Sequence, residues 1–186
     1  MKQEFTISLF SESHIGILSR ITLILSRRQI NIESITASES AVPGVQMLTM
    51  VVRTTPEMVQ KVARQVEKVV DVLKVFVHTS SEIICQEMAL YKVTTRGLMS
   101  GSMISDIVRK HNARILEVKS EYMVVEKSGT RAEIKELLEL LEPCGVLQFV
   151  SSGRVAVTRQ VKELNAYLRE MEEARGTRRE ALEVYN

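Results

Sequence analysis

The sequence predicts an α+β fold of two tandem βαββαβ units followed by a helical tail, and three observations carry that prediction. Short segments alternate apolar and polar residues at the period of a half-buried strand. Between them lie longer segments whose apolar residues recur at helical spacing. The same order of segments then runs a second time before the chain becomes rich in Glu and Arg.

Phe5 to Phe10 sets Phe5, Ile7 and Leu9 against Thr6 and Ser8, which reads as the first strand. Ile15 to Arg28 changes to helical spacing, with Ile17, Leu18, Ile21, Ile24 and Leu25 on one side and Arg20, Arg27 and Arg28 elsewhere. Ile30, Ile32 and Ile35 open a second strand that runs to about Ser40. Pro43-Gly44 supplies turn chemistry before the apolar run Val45 to Val52, so the pair is a hairpin. Thr54 or Thr55 caps a helix that holds Pro56 and Glu57 in its first turn and aims Val59, Val62, Val66 and Val69 at a core. Val72 to His78 closes the unit as a fourth strand. The order βαββαβ is the ferredoxin-like arrangement, a four-stranded antiparallel sheet with both helices on one face.

The second unit repeats it: a strand at Ile83 to Val93, a helix around Met103 to His111, strands at Arg114 to Ser120 and Glu121 to Glu126, a helix from Thr130 to Glu142, and one last strand within Val146 to Val157. The basic pairs Arg27-Arg28 and Arg109-Lys110 each end a first helix, and Val72-Leu73 and Val146-Leu147 each follow a second one. The expected boundaries are therefore 1–80, 81–159 and a tail at 160–186. In the tail Val161, Leu164, Leu168 and Met171 recur at helical spacing.

Composition narrows the function. The 186 residues are 45 % apolar, and no apolar run approaches the roughly 18 to 20 residues of a membrane helix. The segment Met1-Lys2-Gln3-Glu4 enters a strand directly, without the apolar stretch of a secretory signal, so a cytoplasmic location is expected. Cys85 and Cys144 are too far apart for a CxxC motif and read as small core residues, as Met47, Met50 and Met123 read as apolar core. A net charge of +2, 4 % aromatic residues and no Trp argue against a nucleic-acid partner. His14, His78 and His111 make no metal signature and read as surface or strand-end residues. No nucleophile pair, metal cluster or phosphate loop is visible, so a catalytic site and a metal site are not expected.

The sharpest local feature is the junction Ser11-Glu12-Ser13-His14-Ile15-Gly16-Ile17-Leu18, where a strand gives way to a helix through a glycine turn. A helix N-terminus gathers free N–H donors and the positive end of the macrodipole, so a carboxylate fits there. Gly16 lets a ligand approach the backbone and Ser13 offers a hydroxyl. A plain capped turn explains the same residues equally well. Asn31, between Ile30 and Ile32, presents an amide that both donates and accepts, or is only a strand-entry residue. Arg96 to Ser102 forms a similar junction in the second unit and lacks the spacing of a phosphate loop.

Three stretches carry a resemblance: Ser13-x-x-Gly16-Ile17-Leu18-Ser19-Arg20, Arg28-Gln29-Ile30-Asn31-Ile32-Glu33-Ser34-Ile35, and Val70-Asp71-Val72-Leu73-Lys74-Val75. Over residues 1 to about 158 the chain resembles the acetolactate (acetohydroxyacid) synthase small subunits, whose first unit is an ACT domain. The resemblance implies a regulatory chain without catalysis of its own. Such a chain activates a large subunit that carries thiamine diphosphate, magnesium and FAD, and confers feedback inhibition by a branched-chain amino acid, above all valine. It implies effector binding at Ser13, His14, Ile15, Gly16 and Ile17 and at Asn31, and a homodimer joined along second-strand edges. Ser13 stands where the family often has Asn, and His14 and Ile15 are bulkier than the usual pair before the glycine. The tail is longer than the family's. Two other functions fit the fold: a free-standing ACT-type amino-acid sensor with another partner, and an RNA-binding module, since RNA-recognition domains share the βαββαβ order.

Overall fold

The computed structural model describes residues 1–95, 100–159 and 169, those at 100–102 by backbone alone. Most of the Arg96 to Ser102 junction, and the predicted tail helix apart from Arg169, lie outside these residues. Contacts divide the chain into two compact units, one containing Met1–Glu33 and Ala37–Ile84, the other Ser34–Thr36 and Cys85–Ala156.

By strand pairing, the first ferredoxin-like unit contains β1 (Gln3–Glu12), α1 (Ile17–Ser26), β2 (Ile32–Glu39), β3 (Val45–Thr54), α2 (Pro56–Val66) and β4 (Val72–His78). Its sheet runs β2-β3-β1-β4, the ferredoxin-like order. The second contains β5 (Ile83–Thr94), α3 (Ser100–Lys110), β6 (Arg114–Val118), β7 (Tyr122–Gly129), α4 (Arg131–Leu141), β8 (Val146–Ser151) and β9 (Val155–Thr158). Its strands follow the equivalent order β6-β7-β5-β8, with β9 also paired to β5. Two tandem ferredoxin-like units are thus the architecture.

In the first unit one face of the sheet packs against both helices. Phe5, Ile7 and Leu9 of β1 meet Leu48, Met50 and Val52 of β3, Ile21 and Leu25 of α1, and Val59, Val62 and Val66 of α2. Each such side chain, fully buried, stabilises the fold by about 1.5–3 kcal/mol of transfer free energy. The expectation of a half-buried β1 fails, because Thr6 and Ser8 are buried as well. β1 is a central strand, paired on both edges, and its second face carries Phe10 in edge-to-face contact with Phe76, ring centroids 6.2 Å apart. Leu18 also departs from expectation and is exposed. Ile17, Ile21 and Leu25, spaced by four, make the buried stripe of α1, and Leu18 lies at its edge, about 60° around the helix from Ile21 at its centre.

The duplication is clearest at the helix ends. α1 stops where Gln29 turns left-handed at φ 54, with Gln29 N–H donating to the Ser26 carbonyl and Ile30 N–H to that of Leu25. α3 stops the same way at Asn112, φ 49, with donors Asn112 and Ala113 and acceptors Arg109 and Val108. Both are Schellman pairs built without glycine. Aligned on them, the two basic pairs seen in the sequence are offset by one residue.

Three expectations for the second unit change. The single last strand is two, because Ser152 breaks it: its N–H donates to Met88 O while its hydroxyl accepts from Met88 N–H in place of a backbone carbonyl. β7 extends to Gly129, beyond the predicted Glu126. Cys144 is buried, whereas Cys85 is only partly so and is not a core residue. Inside this core Tyr91 is fully buried and donates its hydroxyl to Ile134 O at 2.7 Å. Burial pushes its phenol up to about 12.

These residues generate two predictions. A left-handed Gln costs about 1 kcal/mol that glycine does not, whereas Asn tolerates that region better, so Gln29→Gly should stabilise the chain more than Asn112→Gly does. Paired denaturant melts test the ranking. For Tyr91, the folded phenol holds its proton more tightly than the unfolded one, so its stabilisation is intact below about pH 10 and is lost as the pH rises toward 12. Tyr91→Phe should cost about 1 kcal/mol at neutral pH through the lost hydrogen bond. It should also flatten the fall in stability above pH 10, measured by the same melts at stepped pH.

Candidate functional site

β1 ends at Glu12 and α1 begins at Ile17, and the four residues between them form a tight turn. His14 N–H donates to Glu12 O at 2.9 Å, Ile17 N–H to His14 O at 3.4 Å, and Arg20 N–H reaches back to Gly16 O at 3.1 Å. Gly16 is left-handed at φ 89, a conformation other residues adopt only with strain, while a Cβ placed there meets nothing within 4 Å. Backbone conformation, not crowding within the chain, therefore demands the glycine, and the space above it is open.

The start of α1 differs from those of α2 and α4. Thr55 accepts from Met58 N–H and Thr130 from Glu133 N–H, each at 3.3 Å, and Glu57 and Glu133 place a carboxylate in the first turn. At α1 the capping position is Gly16, which makes no side-chain hydrogen bond, and the first turn holds no acid. Ile17 N–H already donates to His14 O, so the amides of Leu18 and Ser19 and the positive end of the dipole are what is left for an external acceptor.

The turn is tied to the segment before β4. Asp71 is 9 % exposed. Its Oδ1 lies 3.0 Å from His14 Nδ1, and its Oδ2 lies 2.6 Å from Arg20 Nη1, off the N–H axis, so that contact acts through charge. The hydrogen bond from His14 holds the Asp71 carboxyl below the usual carboxylate range, against the opposing effect of burial and with help from the Arg20 charge. An ionised Asp71 only accepts, so Nδ1 of His14 carries the proton. Glu12, His14 and Asp71 lie close enough to share a cation, but the Arg20 guanidinium already faces Asp71 and opposes one.

Each residue singled out in the sequence now has a place. Ser13 is exposed, donates its N–H to Gly44 O at 3.2 Å, and accepts through its hydroxyl from Gln46 Nε2 at 2.9 Å. Ile15 projects fully into solvent, 103 % exposed. Ile17 is buried in the core, so its backbone alone belongs to the turn. Asn31 is exposed just before β2 and is not brought to this turn within the chain. β2 runs parallel to β1 with β3 between them, so its start lies at the other end of α1, whose ten residues rise about 15 Å. Sequence reasoning missed Asp71, Arg20 and Gln46. Asp71 and Arg20 stand inside the stretches that carry the resemblance, and a carboxylate between Val70 and Val72 was the available signal.

Phe5 and Phe10, the aromatic residues a base-stacking strand would need, are both buried. They are not available to stack bases, although the βαββαβ order shared with RNA-recognition domains stands. Among the described residues no helix is long and apolar enough to cross a membrane.

Two ferredoxin-like units, the first with an open glycine turn between strand and helix, define an ACT-type regulatory architecture. Residues 7–74 match the model of the AHAS small subunit-like ACT domain, and residues 86–160 that of the small subunit of acetolactate synthase. The acetolactate synthase small subunit of Bacillus subtilis is 33 % identical, the match covering 88 % of this chain and 94 % of the relative. That of Mycobacterium leprae is 32 % identical over 83 % and 90 %. The crystal structure of the acetolactate synthase small subunit from Thermotoga maritima superposes with a TM-score of 0.78 at 27 % identity, covering 85 % of this chain and 98 % of that one. The chain belongs to the acetolactate synthase small-subunit family.

The lowered Asp71 pKa sets an acid limit. Its contribution is complete above the unfolded value near 3.9 and is lost as the pH falls through the lower folded value, so the turn should stay closed at pH 4 and open only as the pH falls through that lower value. Asp71→Asn should abolish that acid step. Amide signals of residues 12–18 followed by NMR from pH 6 to pH 2 measure both.

Proposed function

We propose that this chain is the regulatory subunit of an acetolactate synthase, without catalysis of its own. It activates a cytoplasmic catalytic large subunit that holds thiamine diphosphate, magnesium and FAD, and makes it sensitive to a branched-chain amino acid, valine first. Residues 1–80 act as the effector-binding ACT domain, and 81–159 as the second, C-terminal domain typical of these small subunits. The uncapped N-terminus of α1 carries this reading, because a free amino acid brings the carboxylate that the end lacks. The effector site comprises Ser13, His14, Ile15, Gly16 and the backbone of Ile17, completed by Asn31 of a second copy paired along β2. That strand is an edge of its sheet with Ile35 exposed, and pairing covers it. Family membership supports the large-subunit partner over the free-standing sensor.

Gly16→Asp and Gly16→Asn test the site as a pair. Both residues tolerate a left-handed backbone and they are nearly equal in size, so they differ in charge at the helix end. Acetolactate formation by the cognate large subunit is measured with each variant and increasing valine, leucine or isoleucine. Gly16→Asp should raise the half-inhibiting concentration at least about fivefold over Gly16→Asn, the equivalent of roughly 1 kcal/mol. Activation without effector should persist, since Ile17, Ile21 and Leu25 are untouched. Wild-type half-inhibition by all three amino acids in the Gly16→Asp holoenzyme would remove the turn from the effector site.

A further inference from the structure

We infer that Asp71 is the positioning residue of the effector turn, fixing it in its ligand-ready form through His14, Arg20 and the backbone of Glu12. This rests on the reading of the β1–α1 turn as the effector site. Asp71 comes from the segment between α2 and β4, 57 positions from His14, and holds three points of the turn at once. Its backbone carbonyl accepts from Glu12 N–H at 2.9 Å, where β1 ends. Its Oδ1 accepts from His14 Nδ1 at 3.0 Å in the middle of the turn. Its Oδ2 faces Arg20 Nη1 at 2.6 Å on the first turn of α1.

Burial shows which partner is fixed. The Asp71 side chain is 12 % exposed, whereas those of His14 and Arg20 are 57 % and 51 % exposed, so two exposed side chains fold onto one buried carboxylate. The span they bracket contains Gly16 and the uncapped amides, and of residues 13–20 only Ile17 is buried. A ligand that had to order this span would lose affinity to the entropy of doing so, and a turn fixed beforehand does not impose that loss. The Arg20 guanidinium also balances the Asp71 charge, so the carboxylate that fixes the turn repels the ligand's carboxylate less. Aspartate suits the position because its carbonyl is bonded to Glu12 N–H, which leaves a short side chain to reach both His14 and Arg20.

The test uses the holoenzyme with its cognate large subunit and valine as the probe, each half-inhibiting concentration taken relative to the activity without valine. Asp71→Asn should raise it about tenfold and should speed hydrogen exchange at residues 13–18 in the absence of valine, with β3 and α2 unchanged. Arg20→Gln, an exposed change that leaves the buried carboxylate in place, should give a smaller shift of the same sign. Asp71→Glu should recover part of the loss. A general packing defect would spread faster exchange into β3 and α2 and would not be rescued by glutamate, and that pattern overturns the inference. Half-inhibition within twofold of wild type in both Asp71→Asn and Arg20→Gln, with Gly16→Asp still insensitive to valine, overturns the positioning role and leaves the effector site standing. If Asp71→Asn does not fold, the Arg20→Gln result and its exchange pattern decide alone. Wild-type valine response in Gly16→Asp removes the site and this inference with it.

Discussion

A strand lying in a sheet and a helix lying over it run in opposite directions, so the chain between them must reverse within a few residues. In this protein the reversal is made at Gly16, whose φ of 89 places the next residue at the start of α1. The conformation excludes a side-chain cap, because glycine has no oxygen with which to make one. What makes the turn possible therefore also leaves the helix end electrostatically unsatisfied. α2 and α4 follow Thr55 and Thr130 and are closed by hydroxyls and carboxylates of the chain itself. The contrast between α1 and these two helices converts a conformational requirement into a binding capacity.

The two units share topology, the Schellman pairs at Gln29 and Asn112, and a register shift near the end of each first strand, at Phe10/Ser11 and Lys92/Val93. They diverge in chemistry. Asp71, which anchors the turn of the first unit, aligns in chain order with Gly145, left-handed at φ 85, just before β8. A glycine offers no carboxylate, so the second unit keeps the fold without the clamp. Shared backbone geometry with different polar residues is the pattern of one architecture used for two purposes.

Most of the fold was legible because hydrophobic period and cap chemistry are local. Thr55 before Pro56, Thr130 before Glu133, and Pro43-Gly44 between two apolar runs each specify their element within a few residues. What was not legible depends on contacts far apart in sequence. Thr6 and Ser8 alternate like a half-exposed strand, yet both are buried, which their own spacing does not reveal. Ser152 looks like a strand residue until Met88, far from it in sequence, takes its hydroxyl. At the site, the turn itself was legible from Gly16 and its neighbours. The clamp was not, since nothing local to Asp71 indicates that it will meet His14 and Arg20. For Ile17, the period of four that it shares with Ile21 and Leu25 was the sign that its side chain belongs to the core and not to the site.

The position of Asn31 turns this geometry into a constraint on assembly. Within one chain it lies at the far end of α1 from Gly16, about 15 Å by helix rise, whereas the zwitterionic end of an amino acid spans only a few ångströms. One ligand therefore cannot touch both in the same chain. If both contribute, they do so from two copies, and antiparallel pairing of β2 edges is an arrangement that brings the start of one β2 toward the glycine turn of the other. A ligand in such a site binds the paired form and not the separated one, so its binding free energy is also a term in the pairing equilibrium. In that arrangement, the proposed sensitivity to effector and the geometry presented to the proposed catalytic partner would be linked through the same strand edge. The linkage requires no movement inside either sheet, only a change in how tightly two sheets are held together.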